Sequence, residues 1–242
     1  MQASDIAAVV LAGGFGTRIR HLLADLPKPM APVAEKPFVE WVVRYLKKQG
    51  ITRIGLSTGY LGDTIEAHFQ SKPVAGVETK CVRETDPLGT AGGFWQTAKG
   101  TGWSPKAWLV LNGDSLALAD LKPLWNGLAE SDAGGLLGLQ MEDAARYGTL
   151  KVNGQQQLVS FEEKRPGAGL INAGVYLLRH ELLAGFPAQR PLSFERDVFG
   201  GLLAAGKSLR VLEAECPFLD IGTPETLPQA TEFVRANGGC FA

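Results

Sequence analysis

Val9-Val10-Leu11-Ala12-Gly13-Gly14-Phe15-Gly16-Thr17-Arg18, followed by Pro27-Lys28-Pro29-Met30-Ala31-Pro32, is the stretch on which the reading of this chain depends. The apolar run from Ile6 to Leu11 predicts a buried strand. It stops at a loop carrying three glycines, and an arginine and a lysine follow. Without Cβ atoms, backbone N–H groups come close to an anion, and the cations neutralise it. Tight turns also need glycines, so the glycines alone carry little. Lys28 carries more, because prolines on both sides restrict its backbone and aim its side chain.

Two familiar phosphate loops are excluded. A P-loop ends in Gly-Lys-Ser/Thr, and no such ending occurs. The dinucleotide fingerprint needs a third glycine and direct entry into a helix. Here Gly14-Phe15-Gly16 continues as Thr17-Arg18-Ile19.

The whole stretch resembles the signature of the sugar nucleotidyltransferases: Leu-Ala-Gly-Gly-x-Gly-Thr-Arg, a spacer, then Pro-Lys-Pro-Met-x-Pro. The resemblance implies that Leu11, Ala12, Gly13, Gly14, Gly16 and Thr17 wrap a nucleoside triphosphate. It also implies that Arg18 contacts the phosphates and that Lys28 bridges the reacting phosphate groups.

The chain has 242 residues, 45% of them hydrophobic, and a formal net charge of −1. That suits one α/β domain with a sizeable core. The family likeness divides it into a nucleotide-binding half (1–120) and a sugar-phosphate-binding half (121–242). The near-zero charge argues against a nucleic-acid surface or a basic membrane-facing patch, so anionic substrates need locally placed cations. No apolar run is long enough to span a bilayer, and Met1-Gln2-Ala3-Ser4-Asp5 lacks the features of a signal peptide. Cys81, Cys216 and Cys240 lie far apart in no metal-ligand spacing. A reducing, cytoplasmic setting is expected.

Strand and helix then alternate. A helix opens at Lys36-Pro37, with Pro37 at the first helical position and Phe38, Trp41, Val42, Tyr45 and Leu46 on one face. Strands are expected at Ile51 to Ser57, Val77 to Arg83 and Trp108 to Asn112, with helices at Leu61 to Phe69 and Thr90 to Ala98. Past Asp120 the pattern changes to a helix (Leu121 to Ala129) and four strands: Gly135 to Gln140, Gly148 to Val152, Leu158 to Glu163 and Leu170 to Leu178. Helices close the chain near Phe194 to Ala204 and from Pro224-Glu225. The expected fold is a Rossmann-like, doubly wound mixed sheet of three αβα layers, GT-A-like by resemblance. The extra C-terminal β-helix of many longer relatives is expected to be absent.

Asp114 ends the strand Leu109-Val110-Leu111-Asn112-Gly113-Asp114, and Asp220 ends Phe218-Leu219-Asp220. A strand-end aspartate is often only a turn former or cap. By resemblance this pair holds Mg²⁺, which suits one or two carboxylates plus substrate phosphates. Pro87, Leu88, Gly89 and Thr90 form a turn into a helix, with Thr90 as N-cap on the plain reading. The family likeness sets this turn against the nucleobase. Glu84 precedes it, either as an acceptor for a guanine edge or as a solvated loop charge. In the second half, Tyr147, Gly148, Glu163, Lys164 and Asn172 match sugar-binding segments. By resemblance Glu163 accepts from sugar hydroxyls, Lys164 pairs with the sugar 1-phosphate, and Gly148 admits the ring. The implied catalytic set is Arg18, Lys28, Asp114 and Lys164.

The likeness extends over nearly the whole chain to the short heptose 1-phosphate guanylyltransferases. It runs through Lys36-Pro37-Phe38, Tyr45 to Ile51, Arg146-Tyr147-Gly148-Thr149, Ser160 to Lys164, Gly169 to Asn172 and Ser193-Phe194-Glu195. The implied partners are GTP, or another NTP, and a sugar 1-phosphate, in a monomer or homodimer. Mannose 1-phosphate guanylyltransferases and N-acetylmuramate 1-phosphate uridylyltransferases are the alternatives. A catalytically silent nucleotide or sugar-phosphate sensor is the non-enzyme alternative, though a sensor needs no metal pair.

Overall fold

The computed structural model describes residues 1–23, 25–162, 166–187 and 190–242. Strand β1 (Ile6–Ala12) is buried along nearly its whole length. Alternation sends Ile6, Ala8, Val10 and Ala12 to one core and Ala7 and Val9 to another. A strand with apolar contacts on both faces belongs inside a sheet. A short hairpin follows, β2 (Pro32–Val33) and β3 (Lys36–Pro37). Next come α1 (Phe38–Lys48), β4 (Arg53–Thr58), α2 (Gly62–Ser71), β5 (Glu78–Arg83), α3 (Gly89–Gly100) and β6 (Ala107–Asn112). Strands β6 and β4 flank β1 in parallel, and β5 extends the sheet beyond β4.

The second half adds β7 (Ser115–Ala117), α4 (Lys122–Asn126), β8 (Asp132–Met141), β9 (Thr149–Val152), β10 (Leu158–Glu162), β11 (Gly169–Arg179), α5 (Gly200–Ala204), β12 (Ser208–Ala214), β13 (Phe218–Asp220) and α6 (Ala230–Ala236). Strand β11 runs antiparallel beside β6 and carries β8 and β9 on its far side. Among the described residues the main sheet has nine strands, in the order β10-β9-β11-β6-β1-β4-β5, with β8 against β11 and β12 outside β8. Helices α1, α2, α4 and α6 bury residues in the core on one face. Helix α3 and the segment from Phe194 cover the other. The mixed, three-layer expectation holds. Among the described residues, no helix is long and apolar enough to cross a membrane.

Local boundaries differ from the sequence reading for identifiable reasons. Pro37 pairs with Pro32 in the hairpin and stands just ahead of α1. Helix α3 starts at Gly89, and Thr90 is not its cap. The Glu84 carboxylate and the Leu192 carbonyl already satisfy its first amides, those of Leu88, Ala91 and Gly92. Helix α4 is shorter than expected: the Gly127 amide bonds back to the Pro123 carbonyl, and the chain turns toward Asp132. The stretch from Phe194 opens with a π-helical turn, Phe194–Phe199, before α5. The last helix begins at Ala230 and not at Pro224. Asp220 accepting from the Gly222 amide, and Thr223 paired with Thr226, fold the intervening residues into turns. The sequence reading does not anticipate strands β2, β3, β7 and β12. The last residue of the expected Leu158 to Glu163 strand lies outside the described residues.

Candidate active site

Parallel pairing sets Leu11 of β1 beside Asn112 of β6, so both strands end on one sheet edge. The glycine loop and the Asn112-Gly113-Asp114 turn therefore open into the same space. Gly113 lies so close to β1 that a Cβ would stand 2.6 Å from the Leu11 carbonyl oxygen. The Gly113 amide donates to that oxygen at 2.8 Å.

The second aspartate arrives by a separate route. Strand β13 pairs antiparallel with β7, placing Asp220 opposite Ser115, and the Ile221 amide donates to the Asp114 carbonyl. Two carboxylates remote in sequence thereby converge. Lys28 Nζ lies 2.6 Å from Asp114 Oδ2 and 3.8 Å from Asp220 Oδ1. The lysine is largely buried and leaves a short helical turn, Lys28–Met30. Gly16 lies over its stem at φ +57, where a Cβ would approach Lys28 Cβ to 2.8 Å. Arg146 Nη2 reaches to 3.6 Å from the other oxygen of Asp220.

These groups line a cavity of about 1040 Å³. Its wall includes the expected Leu11, Ala12, Gly13, Gly14, Gly16, Thr17, Arg18, Lys28, Glu84, Pro87, Gly89, Thr90, Asp114, Tyr147, Asn172 and Asp220. Leu88 and Gly148 stand behind the wall: the Leu88 carbonyl accepts from the Leu192 amide, and the Gly148 carbonyl accepts from the Asn172 amide. Glu163 and Lys164 lie outside the described residues. Arg83, Tyr60, Asn112, Ser115, Arg146 and Phe218 line the cavity without having been assigned there. Arg146 sits within the quoted Arg-Tyr-Gly-Thr segment; Ser115 and Phe218 depend on the β7–β13 pairing, for which no local pattern exists.

Glu84 is not a solvated charge. Its Oε1 accepts from Ser57 Oγ at 2.7 Å and its Oε2 from the Leu88 amide at 3.2 Å. A carboxylate at the start of α3 also complements the helix dipole. The base-side loop is braced from outside by the Leu192 carbonyl, which accepts from Ala91 and Gly92, and by Thr90 Oγ1, which accepts from the Phe194 amide. On the opposite wall, Asn172 Nδ2 donates to Tyr176 Oη and Glu195 Oε1. Burial pushes the Tyr147 hydroxyl above its usual pKa, and the Asp220 carboxylate adds to the effect, so it remains a neutral donor. His68 pairs with Glu40, and His180 accepts from Trp108, both partly buried and neither lining the cavity.

The donor set fits a hard divalent cation. Two carboxylates already share one ammonium, so they are near enough to share a metal, and all four of their oxygens are hard ligands. Among the described residues no cluster of three or more metal-ligating side chains exists. A metal held by two carboxylates would therefore complete its coordination with substrate oxygens and water.

Comparison with known proteins identifies the family. Over 223 residues the chain is 40% identical to a D-glycero-alpha-D-manno-heptose 1-phosphate guanylyltransferase of Campylobacter jejuni, covering 90% of this chain and 95% of that one. It is 35% identical to a mannose-1-phosphate guanylyltransferase of Mycobacterium tuberculosis, covering 98% of this chain and 65% of the relative. HddC of Yersinia pseudotuberculosis, solved in complex with GMP-PN, superposes with a TM-score of 0.82 at 31% identity, covering 93% and 98% of the two chains. The profile described as nucleotidyl transferase matches residues 7–237, and with a glycine loop, a fixed lysine and paired aspartates around one cavity, the chain belongs to that family.

Proposed function

We propose that the protein is a guanylyltransferase joining GTP to D-glycero-α-D-manno-heptose 1-phosphate, with release of pyrophosphate and formation of a GDP-heptose. The observation that carries the reaction class is the meeting of Lys28, Asp114 and Asp220 beside the glycine loop in one cavity. The choice of sugar and base follows the guanylyltransferases to which the chain is 40% and 33% identical over nearly their full length.

The nucleophile is a phosphate oxygen of the sugar 1-phosphate, already anionic, so no side chain has to deprotonate it. It attacks the α-phosphorus of GTP in line, and pyrophosphate leaves. Catalysis then rests on alignment and charge neutralisation. In this reading Gly13, Gly14 and Gly16 let main-chain amides approach the triphosphate, and Arg18 neutralises it. Lys28 holds the two reacting phosphates together. Thr90, Gly89 and Pro87 face the base, on a loop held rigid by Glu84 and Leu192. Tyr147, Gly148 and Asn172, with Glu163 and Lys164, form the sugar side. Residues 1–120 thus supply the nucleotide half and 121–242 the sugar-phosphate half. Asp114 and Asp220 would hold Mg²⁺, whose charge stabilises the triphosphate when bound. The proposed setting is cytoplasmic.

A pyrophosphate-release assay with GTP, UTP and a panel of sugar 1-phosphates tests this reading. Turnover with GTP and heptose 1-phosphate above all other pairs is expected. Preference for mannose 1-phosphate would move the chain to the mannose enzymes, preference for UTP would overturn guanylyl transfer, and binding without turnover would make the protein a sensor.

A further inference from the structure

Of the four cations lining the cavity among the described residues, Arg18, Lys28 and Arg83 come from the first half of the chain; Arg146 alone comes from the second. It lies in the connection between β8 and β9. Its guanidinium rests over the Tyr147 ring, with Cζ 5.6 Å from the centroid. The contact with Asp220 is 3.6 Å, longer than a hydrogen bond, whereas Lys28 binds Asp114 at 2.6 Å. Among the described residues the Arg146 guanidinium makes no closer polar contact, and its side chain is 44% exposed. The contact with the Tyr147 face leaves its N–H donors available to the cavity.

That placement answers an electrostatic problem. A sugar 1-phosphate carries about two negative charges near neutral pH, as phosphate monoesters do. To reach the reacting centre it has to approach Asp114 and Asp220, and like charges there repel it. Lys28 is already shared between the two carboxylates. A cation on the sugar side of the cavity offsets that repulsion; besides Lys164, which the transfer reading already puts there, Arg146 is the one that the described residues supply, and a planar guanidinium matches a phosphate with two parallel donors.

We propose that Arg146 binds the phosphate of the sugar 1-phosphate and holds it beside Lys28, an inference that rests on the transfer reading above. Substrate draws the guanidinium from its long contact with Asp220 into a bidentate contact with the phosphate. Arg146 then aligns the nucleophile and leaves the nucleotide side untouched.

The test uses the full-length protein with Mg²⁺ and the variants Arg146→Gln and Arg146→Lys. KM is measured for each substrate, and Kd for heptose 1-phosphate by calorimetry. Arg146→Gln is expected to raise KM and Kd for heptose 1-phosphate by about tenfold or more, the scale of losing a charge-assisted hydrogen bond. KM for GTP should stay within about twofold of wild type on the same reasoning. Arg146→Lys, melting at the wild-type temperature, should keep part of the affinity; if the glutamine variant is unfolded, the Kd of the lysine variant decides. An unchanged sugar 1-phosphate affinity overturns the proposal, as does an equal rise in both KM values. So does a lowered Mg²⁺ requirement at constant Kd, which would mean that Arg146 only neutralises Asp220. Wild type that binds heptose 1-phosphate, weakly so in Arg146→Gln, but forms no GDP-sugar overturns the transfer reading and keeps the Arg146 assignment. Wild-type turnover with an unaltered variant Kd overturns Arg146 alone.

Discussion

The Asp114 carboxylate stands 2.6 Å from the Lys28 ammonium, although the two residues are 86 positions apart in sequence. The signature lysine and the strand-end aspartate are thus one electrostatic unit, closed on its other side by Asp220 at 3.8 Å. Removing the aspartate leaves a largely buried lysine with one distant partner. Asp114→Ala is expected to lower kcat by more than about a hundredfold, the scale set by loss of a main electrostatic element. A rate within a few-fold of wild type, from steady-state kinetics at saturating Mg²⁺, would contradict the role given to this pair.

The base-side loop depends on Gly89. Its φ is +74°, and a Cβ there would stand 2.5 Å from the Leu192 carbonyl oxygen. Main chain cannot retreat as a flexible side chain does, so Gly89→Ala should displace the loop. KM for GTP is expected to rise about tenfold, consistent with strain of one to three kcal/mol. KM for the sugar 1-phosphate should hold. Gly102 is the control: its φ is +70° but nothing lies within 4 Å of its would-be Cβ. Gly102→Ala carries the conformational strain without the collision and should leave both KM values alone.

Asp132 ties β8 to β12 and carries a pH signature. Burial alone would raise its carboxyl pKa, but donors outweigh it: Ser208 Oγ at 2.7 Å, the Ala129 amide at 2.9 Å and Arg210 Nε at 3.2 Å. The folded pKa therefore lies below the ordinary carboxylate value of 3.8. A group whose pKa falls on folding adds stability above its unfolded pKa and loses it as pH drops through the folded one. Asp132→Asn should cost about 1–3 kcal/mol at neutral pH, the scale of broken buried hydrogen bonds to a charged group. In urea titrations that cost should shrink below about pH 4, with the ordinary carboxylate range as the upper edge. A cost that is constant from neutral pH to pH 3 would remove the charge from the explanation.

The turn between β2 and β3 is strained. Ala34 and Glu35 both have positive φ, +44° and +70°. Two-residue hairpins of this kind favour Asn-Gly. The Ala34→Asn/Glu35→Gly double variant is expected to gain about 0.5–1 kcal/mol, or about 1–3 °C in Tm for a chain of this size. A lowered Tm would show that the present pair makes contacts worth more than its strain.

Much of this molecule was legible in its sequence because it is local. The unbroken apolar run of Ile6–Ala12 and the apolar face of α1 identify their elements without reference to anything distant. The glycine loop and Asp114 could be placed together because parallel strands end on one edge. What escaped is built by long-range pairing. Strand β7 has three residues and exists because β13 pairs with it. Strand β12 carries Arg210 and Glu213 among its apolar residues and lies at the sheet edge, so its pattern is diluted. Thr90 looked like a cap, but its hydroxyl serves the Phe194 amide, 104 positions away. Arg146 had a place in a recognisable segment, yet its approach to Asp220 depends on the fold as a whole.

The central claim is that this cavity moves a guanylyl group onto a sugar phosphate. Its most direct measurement follows GTP labelled at the α-phosphate, incubated with heptose 1-phosphate, Mg²⁺ and the protein. The predicted result is label in a GDP-sugar, formed one for one with unlabelled pyrophosphate and abolished in Asp114→Ala. Label remaining in GTP, or appearing only in GDP or GMP without a sugar conjugate, would contradict it.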